Sequence, residues 1–556
     1  MNRLAPPSPQ VPPVSAQDLD RDRCYQAMSE RDAAWDGIFF TGVTSTGIYC
    51  RPVCRVKLPR AINCRFFETP AQAESHGFRP CLRCRPELAP ARRFWSTTDA
   101  QAVVAEFAAQ QLQLAIQHGC KPPTMTALAA QLGVSDRHLR RMFTLHWQVS
   151  PVQYLQTQRL LRAKQWLHDS PMSITQVAKA SGFGSARRMY AAFSNHYQLS
   201  PAQLRPPRTQ RQTGSESDGP LALVLHYRPP CQIGALWQFF KARSLDSMEC
   251  WSGEGPQAEL RRTVRWLHGL SEISGWLTIR WDAERPWVHL SVSRNLLPVL
   301  PALVTQVRDW LDLDAEPDAI AQVLAPAFPH AMGQRLPGCL DGFELAVRAI
   351  LGQQITVKAA RTLGQRLVNA LGTPCETPWP ELNRTFPSPA CLARDENASL
   401  MGSLGVVRQR QKAIQALARA VESGAVQLHA HAPLESTLQA LIALPGIGPW
   451  TAQYIAMRAL RWRDAWPVQD VALQTALAVR QHPRPTQALE QLGQQWRPFR
   501  SYALIAAWQS MPTLTQDIPK TSPKHPHDNH LYTTNGQPFG AHDFGRLAAR
   551  PVRRMV

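Results

Sequence analysis

The pattern of hydrophobic and polar residues changes along the chain and predicts several folded units. Residues 97–118 carry apolar side chains at helical spacing, which predicts an amphipathic helix. Three later segments alternate weakly between apolar and polar positions and predict strands at 221–227, 275–281 and 287–292. Further helices are expected at 233–242, 298–311, 343–351, 357–371, 408–421 and 434–441. The pattern therefore predicts a multidomain chain that is mainly α with α+β parts.

Two related segments, 124–143 and 173–193, follow the first helix. Each joins an apolar helix, a turn with glycine, a capping serine and a second helix with basic residues. This is the helix-turn-helix pattern, in which the second helix enters the major groove of DNA. Sequence does not separate phosphate contacts from base contacts, and a solvated surface charge is an equal alternative for each basic residue. The candidates for DNA contact are Arg137, Arg140, Arg187 and Arg188.

The two segments are joined by LLRAKQWL at 160–167 and followed by LSPAQLR at 199–205. With these stretches, residues 97–205 resemble the double helix-turn-helix module of AraC-type transcription regulators. The resemblance implies binding to promoter sites on double-stranded DNA, with RNA polymerase as a further partner.

Four cysteines form two pairs in the first hundred residues. Three residues separate the first pair and two separate the second, a spacing typical of a tetrahedral zinc site. The predicted ligands are Cys50, Cys54, Cys81 and Cys84. Cys64 has no partner at ligand spacing and is interpreted as a core thiol. Arginines surround the pairs at positions 51, 55, 60, 65, 79, 83 and 85, which favours a place beside a phosphate backbone. The alternative is a purely structural zinc.

The stretches FFTGVTSTGIYCRPVC at 39–54 and GFRPCLRC at 77–84 resemble the N-terminal domain of the Ada family of adaptive-response proteins. The resemblance covers residues 18–95. It implies that Cys50 irreversibly accepts a methyl group from a methylated DNA phosphate, while Cys54, Cys81 and Cys84 complete the zinc site. Four thiolates on Zn²⁺ carry a net charge of about −2, so a neutral phosphotriester can approach where an ordinary phosphate is repelled. Methylation would lower that charge to about −1 and ease contact with normal DNA.

Composition supports a nucleic-acid partner. The chain has 61 Lys and Arg residues against 41 Asp and Glu, a formal net charge of +20. Twelve cysteines in 556 residues are too few for a disulfide scaffold and indicate a reducing compartment. Residues 1–15 lack the apolar run of a signal peptide, and no segment is long enough to span a membrane. We expect a soluble, cytoplasmic protein without a membrane partner.

A second chemical centre begins with LPGIGPWTA at 444–452. Gly446 and Gly448 allow a tight turn between two helices, and the exposed amides of such a turn suit a DNA phosphate. The motif alone indicates only a hairpin that grips the backbone. Asp470 lies twenty residues beyond Trp450, within WPVQDVAL at 466–473.

With that aspartate, residues 219–512 resemble the helix-hairpin-helix DNA glycosylases, and most closely the 3-methyladenine glycosylase II (AlkA) branch. The stretches RAILGQQI at 348–355 and RPFRSYAL at 497–504 extend the likeness. It implies that Asp470 is the catalytic carboxylate and that Trp450, Tyr454 and Trp508 line the base pocket. Electron-rich rings favour a cationic alkylated base after it is flipped from the duplex. The alternatives are a helix cap for Asp470 and ordinary core for the aromatic residues.

Several differences from relatives narrow the expected activity. Members of the superfamily that also cut the strand carry a lysine where this chain has Trp450, so we expect a monofunctional glycosylase without lyase activity. The sequence has no late cysteine cluster for an iron–sulfur centre and no Pro-Cys-His-Arg motif of an O6-alkylguanine methyltransferase. Gln354 occupies the position from which some relatives insert an apolar wedge into DNA.

These observations predict a fused alkylation-response protein. It would be a monofunctional DNA-3-methyladenine glycosylase II, a suicidal DNA-methylphosphotriester methyltransferase and a transcription activator. The alternative is a regulator with a structural zinc and a catalytically idle glycosylase-like domain. The expected boundaries are 18–95 for the zinc domain, 97–205 for the helix-turn-helix module, 206–218 for a linker, 219–325 for an α+β subdomain, 326–512 for the glycosylase domain and 513–556 for a disordered tail.

Overall fold

A computed structural model of the chain describes residues 20–90, 100–117, 122–170, 172–205, 219–268 and 271–511. We refer to residues 20–205 as the front half and to residues 219–511 as the back half. The linker expected at 206–218 and the tail expected at 513–556 lie outside the described residues. Within the described ranges, every helix falls short of the length or the apolar character that crossing a membrane requires.

The front half begins with a small four-stranded sheet. Strand β1 pairs antiparallel with β2 and β3, whereas β2 pairs in parallel with β4, giving the order β3-β1-β2-β4. Helix α2 begins at a proline behind a capping box of Thr69 and Gln72. Phe40, Tyr49 and Phe67 form the core between sheet and helix. The elements are α1 Arg21–Glu30, β1 Phe40–Val43, β2 Ile48–Cys50, β3 Cys64–Phe67, α2 Pro70–Ser75 and β4 Arg79–Pro80.

Six helices complete the front half and confirm two helix-turn-helix units. Gly133 and Gly182 turn the chain at φ values of +67° and +74°. Ser135 and Ser185 then cap the second helix of each unit through their side chains. Helix α6 connects the two units. The helices are α3 Ala100–Gln117, α4 Met125–Gln131, α5 Asp136–Trp147, α6 Pro151–Asp169, α7 Ile174–Ala180 and α8 Ala186–Tyr197.

The back half opens with a five-stranded antiparallel sheet of order β5-β9-β8-β7-β6. The three expected strands correspond to β5, β8 and β9, whereas β6 and β7 were not predicted. Charged residues obscure the alternation of β7, because Arg262 is buried there in ion pairs with Glu249 and Glu344. The elements are β5 Leu221–His226, α9 Ile233–Lys241, β6 Glu249–Ser252, β7 Glu259–His268, β8 Ser271–Trp281, β9 Trp287–Val292, α10 Leu300–Leu311 and α11 Pro317–Leu324.

The remainder of the back half is helical apart from one short strand pair. It contains two apolar cores, and Tyr454 packs against both of them. The elements are α12 Gly342–Leu351, α13 Val357–Leu371, β10 Thr373–Pro374, β11 Arg384–Thr385, α14 Pro389–Ala393, α15 Glu396–Ser403, α16 Arg408–Glu422, α17 Leu434–Ile442, α18 Pro449–Arg458, α19 Val471–Ala476, α20 Pro485–Gly493 and α21 Arg500–Ser510. The architecture is multidomain and mainly α with α+β parts, as expected.

Candidate functional sites

The structure brings the four predicted cysteine ligands together, and we call them the four-cysteine centre. Parallel pairing of β2 with β4 aligns the strand ends, and the Cys81 amide donates to the Tyr49 carbonyl at 2.9 Å. The sulfur atoms of Cys50, Cys54, Cys81 and Cys84 all lie within 4.8 Å of one another. A tetrahedral zinc–thiolate site with bonds of about 2.3 Å separates its sulfurs by about 3.8 Å. The donor set and its spacing therefore fit zinc.

Backbone amides point at two of these sulfurs. The Arg51 amide donates to Cys84 Sγ and the Arg83 amide donates to Cys81 Sγ, both at 3.4 Å. Such donors stabilise thiolate charge. Cys64 lies apart from the centre in β3, where burial raises the pKa of its thiol. Its interpretation as a core thiol is confirmed.

The arginines around the centre do not act alike. Arg51 is buried in an ion pair with Asp36, so it does not face a phosphate as its position in the motif suggested. Arg85 is half-buried and paired with Glu87. The other five side chains are exposed and can face a polyanion. They are Arg55, Arg60, Arg65, Arg79 and Arg83.

The four arginines predicted to contact DNA are exposed on the second helix of each helix-turn-helix unit. Arg137 and Arg140 lie on α5, and Arg187 and Arg188 lie on α8. Arg140 pairs with Asp136 one turn earlier at 2.8 Å. An exposed pair at this spacing is worth only about 0.3–0.5 kcal/mol, so it leaves Arg140 able to exchange partners.

The predicted hairpin joins α17 to α18. Gly446 has φ +80°, and a Cβ at this position would meet the Ala413 Cβ at 2.9 Å. Gly448 is the N-cap of α18 and has open space around it. Gly448 and Pro449 are exposed at the start of α18, whereas Thr451 and Ala452 are buried, and a phosphate contact at this turn stays a prediction.

Asp470 lies beside a large cleft of about 1960 Å³ in the back half. Its carboxylate caps α19 by accepting from the Leu473 amide at 2.6 Å. It also accepts from the indole N–H groups of Trp450 at 2.7 Å and Trp508 at 3.2 Å. Asp470 therefore caps a helix and also lines the cleft, and it is 6% exposed. Two indoles and one amide fix the orientation of the carboxylate.

The aromatic residues predicted for the base pocket do line this cleft. The rings of Trp450 and Tyr454 are stacked, with centroids 5.4 Å apart and planes inclined by 6°. The ring centroid of Trp508 lies 6.4 Å from that of Tyr454, with the planes inclined by 40°. Partly exposed stacked rings next to a carboxylate form a surface on which a flipped base can stack.

Three cleft residues were missed from the sequence. Arg458 donates to the Tyr454 hydroxyl at 2.7 Å and lies over the ring of Phe239. Arg243 covers the same ring at 3.8 Å from its centroid. Helical spacing on α18 could have indicated Arg458, four residues after Tyr454. Phe239 lies on α9 and Arg243 lies just after its end, more than 200 residues before Tyr454, and no local pattern indicates them.

These arginines change the chemistry of Tyr454. Burial of the hydroxyl would raise its pKa, but the positive charges of Arg458 and Arg243 outweigh burial and lower it. The hydroxyl already accepts a hydrogen bond from Arg458, so its own proton is available to another acceptor.

Two neighbouring glutamines at the cleft have different surroundings. Gln353, two residues after α12, donates to the Gly446 carbonyl at 2.9 Å and to the Thr451 hydroxyl at 3.0 Å, and so connects this segment to the hairpin and to α18. Gln354 is exposed and has φ +56°, an uncommon conformation for a residue other than glycine.

Fold and sites together define a multidomain DNA repair and regulatory protein that combines a zinc-binding centre, helix-turn-helix units and a glycosylase cleft. Family profiles match four parts of the chain. They are described as the metal binding domain of Ada at residues 23–87, a helix-turn-helix domain at 128–206, the AlkA N-terminal domain at 222–341 and the HhH-GPD superfamily of base excision DNA repair proteins at 347–498.

Relatives match both halves of the chain. A Mycobacterium tuberculosis protein named "probable bifunctional transcriptional activator/DNA repair enzyme AlkA" is 34% identical over 88% of this chain and 97% of its own length. DNA-3-methyladenine glycosylase 2 of Escherichia coli is 31% identical over 51% of this chain and 96% of its own length. The bifunctional transcriptional activator/DNA repair enzyme Ada of Escherichia coli is 31% identical over 34% of this chain and 49% of its own length. The chain belongs to the family of bifunctional Ada/AlkA transcriptional activator and DNA repair proteins.

Proposed function

We propose that the back half hydrolyses the N-glycosidic bond of alkylated bases such as 3-methyladenine, and that the front half transfers methyl groups from DNA phosphotriesters to Cys50. The methylated front half would then act at promoters as a transcription activator, with RNA polymerase as a partner. The observation that carries the glycosylase proposal is the oriented Asp470 carboxylate beside stacked aromatic rings in one cleft.

The cleft residues suit this hydrolysis. An alkylated purine is cationic, so the bond between C1′ and the base breaks with its electron pair leaving on the base. Asp470 would stabilise the positive charge that develops on the sugar and would accept a proton from the attacking water, whose oxygen bonds to C1′. Trp450 and Tyr454 would stack on the flipped base. Because position 450 is not a lysine, no Schiff base forms there and the strand would stay intact.

The four-cysteine centre suits methyl transfer. Cys50 Sγ would attack the methyl carbon of the phosphotriester, and the carbon–oxygen bond would break with its electron pair returning to the phosphate oxygen. The products are a normal phosphodiester and an S-methylcysteine. Zinc, when bound by the four cysteines, would keep the thiols deprotonated. The five exposed arginines near the centre would hold the flanking phosphates.

The glycosylase proposal is tested by comparing the wild type with Asp470→Asn on alkylated duplex DNA. Asparagine is also a good N-cap, so α19 should stay folded while the charge is lost. We expect formation of abasic sites to fall by about 10²-fold or more, the usual effect of removing such a group. Strand breaks should appear only after alkali treatment. Equal rates for both proteins, or no abasic sites with either, would refute the proposal and favour an idle DNA-binding domain.

The methyl-transfer proposal is tested by mass spectrometry of the full chain after incubation with DNA that carries methylphosphotriesters. We expect one added methyl group on the peptide that contains Cys50. Cys64→Ser is the matched control, because Cys64 is a buried thiol outside the centre, and it should still accept the methyl group. Absence of any methyl on Cys50 in the wild type would leave zinc a purely structural role.

A further inference from the structure

Buried charges connect the four-cysteine centre to the first strand of the back half. Arg51 follows Cys50 directly and donates to the Cys84 carbonyl at 3.1 Å. The same guanidinium lies 3.3 Å from Nδ1 of His226, at the end of β5. Its Nε donates to Asp36 at 2.8 Å. One side chain, 2% exposed, therefore contacts both the cysteine loop and the back half.

Arg228 makes a second buried connection from the other side. Its Nε donates to the Asp36 carbonyl at 3.0 Å and its Nη2 to the Pro90 carbonyl at 3.2 Å, both in the front half. Its Nη1 faces the carbonyls of Asp314 and Ala315 in the back half at 3.4 and 3.5 Å. Arg228 is 1% exposed, so its charge depends on these acceptors rather than on water.

Helix α6 carries one cation that binds the second cysteine pair and another that contacts the back half. Lys164 donates to the Cys81 carbonyl at 3.3 Å and pairs with Glu87. Two residues earlier on the same helix, Arg162 donates to the Pro301 carbonyl at the start of α10, at 3.0 Å. Of the two cations that donate to cysteine carbonyls, Arg51 contacts the back half directly through His226, whereas Lys164 stays within the front half, two residues from Arg162.

We propose that the four-cysteine centre also supports the back half: when the centre is metal-free, β5 and the loop at 312–315 lose their fixed contact with the front half. Without metal, no bond joins the four sulfur atoms, which lie within 4.8 Å of one another, and the loop that carries Cys81 and Cys84 is free to rearrange. The Cys84 carbonyl then moves away from Arg51, the side chain that also contacts His226 in the back half. Buried cations that lose acceptors are costly, so the contact opens. This role goes beyond both proposed repair activities.

Hydrogen exchange of the full chain, zinc-loaded against chelator-stripped, tests the inference. We expect amides of β5 to exchange about tenfold faster or more without metal, the factor that the loss of one hydrogen bond to a charged group gives. Helix α13 is the internal control, because its Arg361 and Arg366 bind Asp246 and the Leu404 carbonyl inside the back half, and its exchange should not change. Unchanged exchange in β5, while peptides with the four cysteines exchange faster, would overturn the inference.

Two buried arginines of the back half give matched variants. Arg228→Met should make β5 exchange quickly even with zinc, so that stripping adds less than about twofold. Arg500→Met removes a buried arginine that pairs with Asp464 inside the back half, away from the loop at 312–315, and the metal response should persist. If Arg228→Met keeps the full metal response, the inference is refuted. If that variant does not fold, the wild-type comparison decides alone. An inactive glycosylase would leave these exchange results intact, so the two failures are distinguishable.

Discussion

Glu74 on α2 links the strand that carries Cys50 to the helix-turn-helix units. Its Oε1 accepts hydrogen bonds from the hydroxyls of Tyr49 at 3.1 Å and Tyr197 at 3.0 Å. Its Oε2 accepts from the Thr157 hydroxyl at 2.6 Å. Burial raises the pKa of Glu74 from 4.5 to about 7, even though these three donors and the charge of Lys164 lower it. The contact between the two parts of the front half should therefore depend on pH.

The direction and size of this pH dependence follow from the linkage between proton binding at Glu74 and folding. The folded protein binds the Glu74 proton more tightly than the unfolded chain does. The stability that results is fully present below pH 4.5 and is lost as the pH rises through about 7. The difference between the two pKa values corresponds to about 3 kcal/mol at about 1.36 kcal/mol for each pH unit. Between pH 5 and pH 8 the folded front half should lose about 2.5 kcal/mol from this group alone.

Glu74→Gln removes the titration and keeps the hydrogen bonds. The amide oxygen can accept from Tyr49 and Tyr197, and the amide nitrogen can donate to the Thr157 oxygen. We expect the free energy of unfolding of the variant, relative to the wild type, to rise by about 2–3 kcal/mol from pH 5 to pH 8. Urea unfolding of the zinc-loaded chain, followed through the transition of the front half, measures it.

Glu30→Gln is the control, because Glu30 is an exposed carboxyl on the neighbouring helix α1. That variant should follow the pH dependence of the wild type. If Glu74→Gln and the wild type also give parallel curves between pH 5 and pH 8, then the carboxyl is not held protonated by its surroundings and the reasoning fails.

Three further predictions concern the back half and the DNA-binding helices. Trp450→Phe keeps the stacked ring but removes the indole donor to Asp470, so single-turnover base release should slow about 10- to 100-fold; an unchanged rate would mean that this hydrogen bond has no catalytic role. Gly446→Ala should cost about 1–2 kcal/mol in denaturant unfolding because its φ is positive, whereas Gly448→Ala, at φ −87° with open space, should cost under about 0.5 kcal/mol. Arg187→Ala should reduce the slope of log K against log salt by about 1 in promoter binding and leave base excision unchanged.

Local sequence patterns were sufficient to locate the residues of both candidate centres, because the residues of each centre lie close together in the sequence. The cysteine pairs flank two strand ends that pair directly, so spacing alone brings the sulfurs together. Asp470 and Trp450 are twenty residues apart, separated by the remainder of α18 and the loop that follows it. Phe239 and Arg243 could not be predicted, because α9 reaches the cleft only through the packing of the sheet against the helical part. The strands β6 and β7 were missed because Arg262 and Glu249 interrupt their apolar pattern, and these buried charges are satisfied by each other and by Glu344 on α12.

The arginines beside the cysteines show that residue type and position in a motif are not enough to assign a DNA-binding role. Arg51 and Arg83 flank cysteines of the same centre, and sequence gives both the same interpretation as phosphate contacts. Arg83 is exposed, whereas Arg51 is buried against Asp36 and reaches His226, 175 positions along the chain. A guanidinium binds carboxylates, carbonyls and phosphates with the same fork of donors, so only its burial separates the roles. The +20 net charge therefore overstates the surface available to DNA, because part of it holds the two halves together.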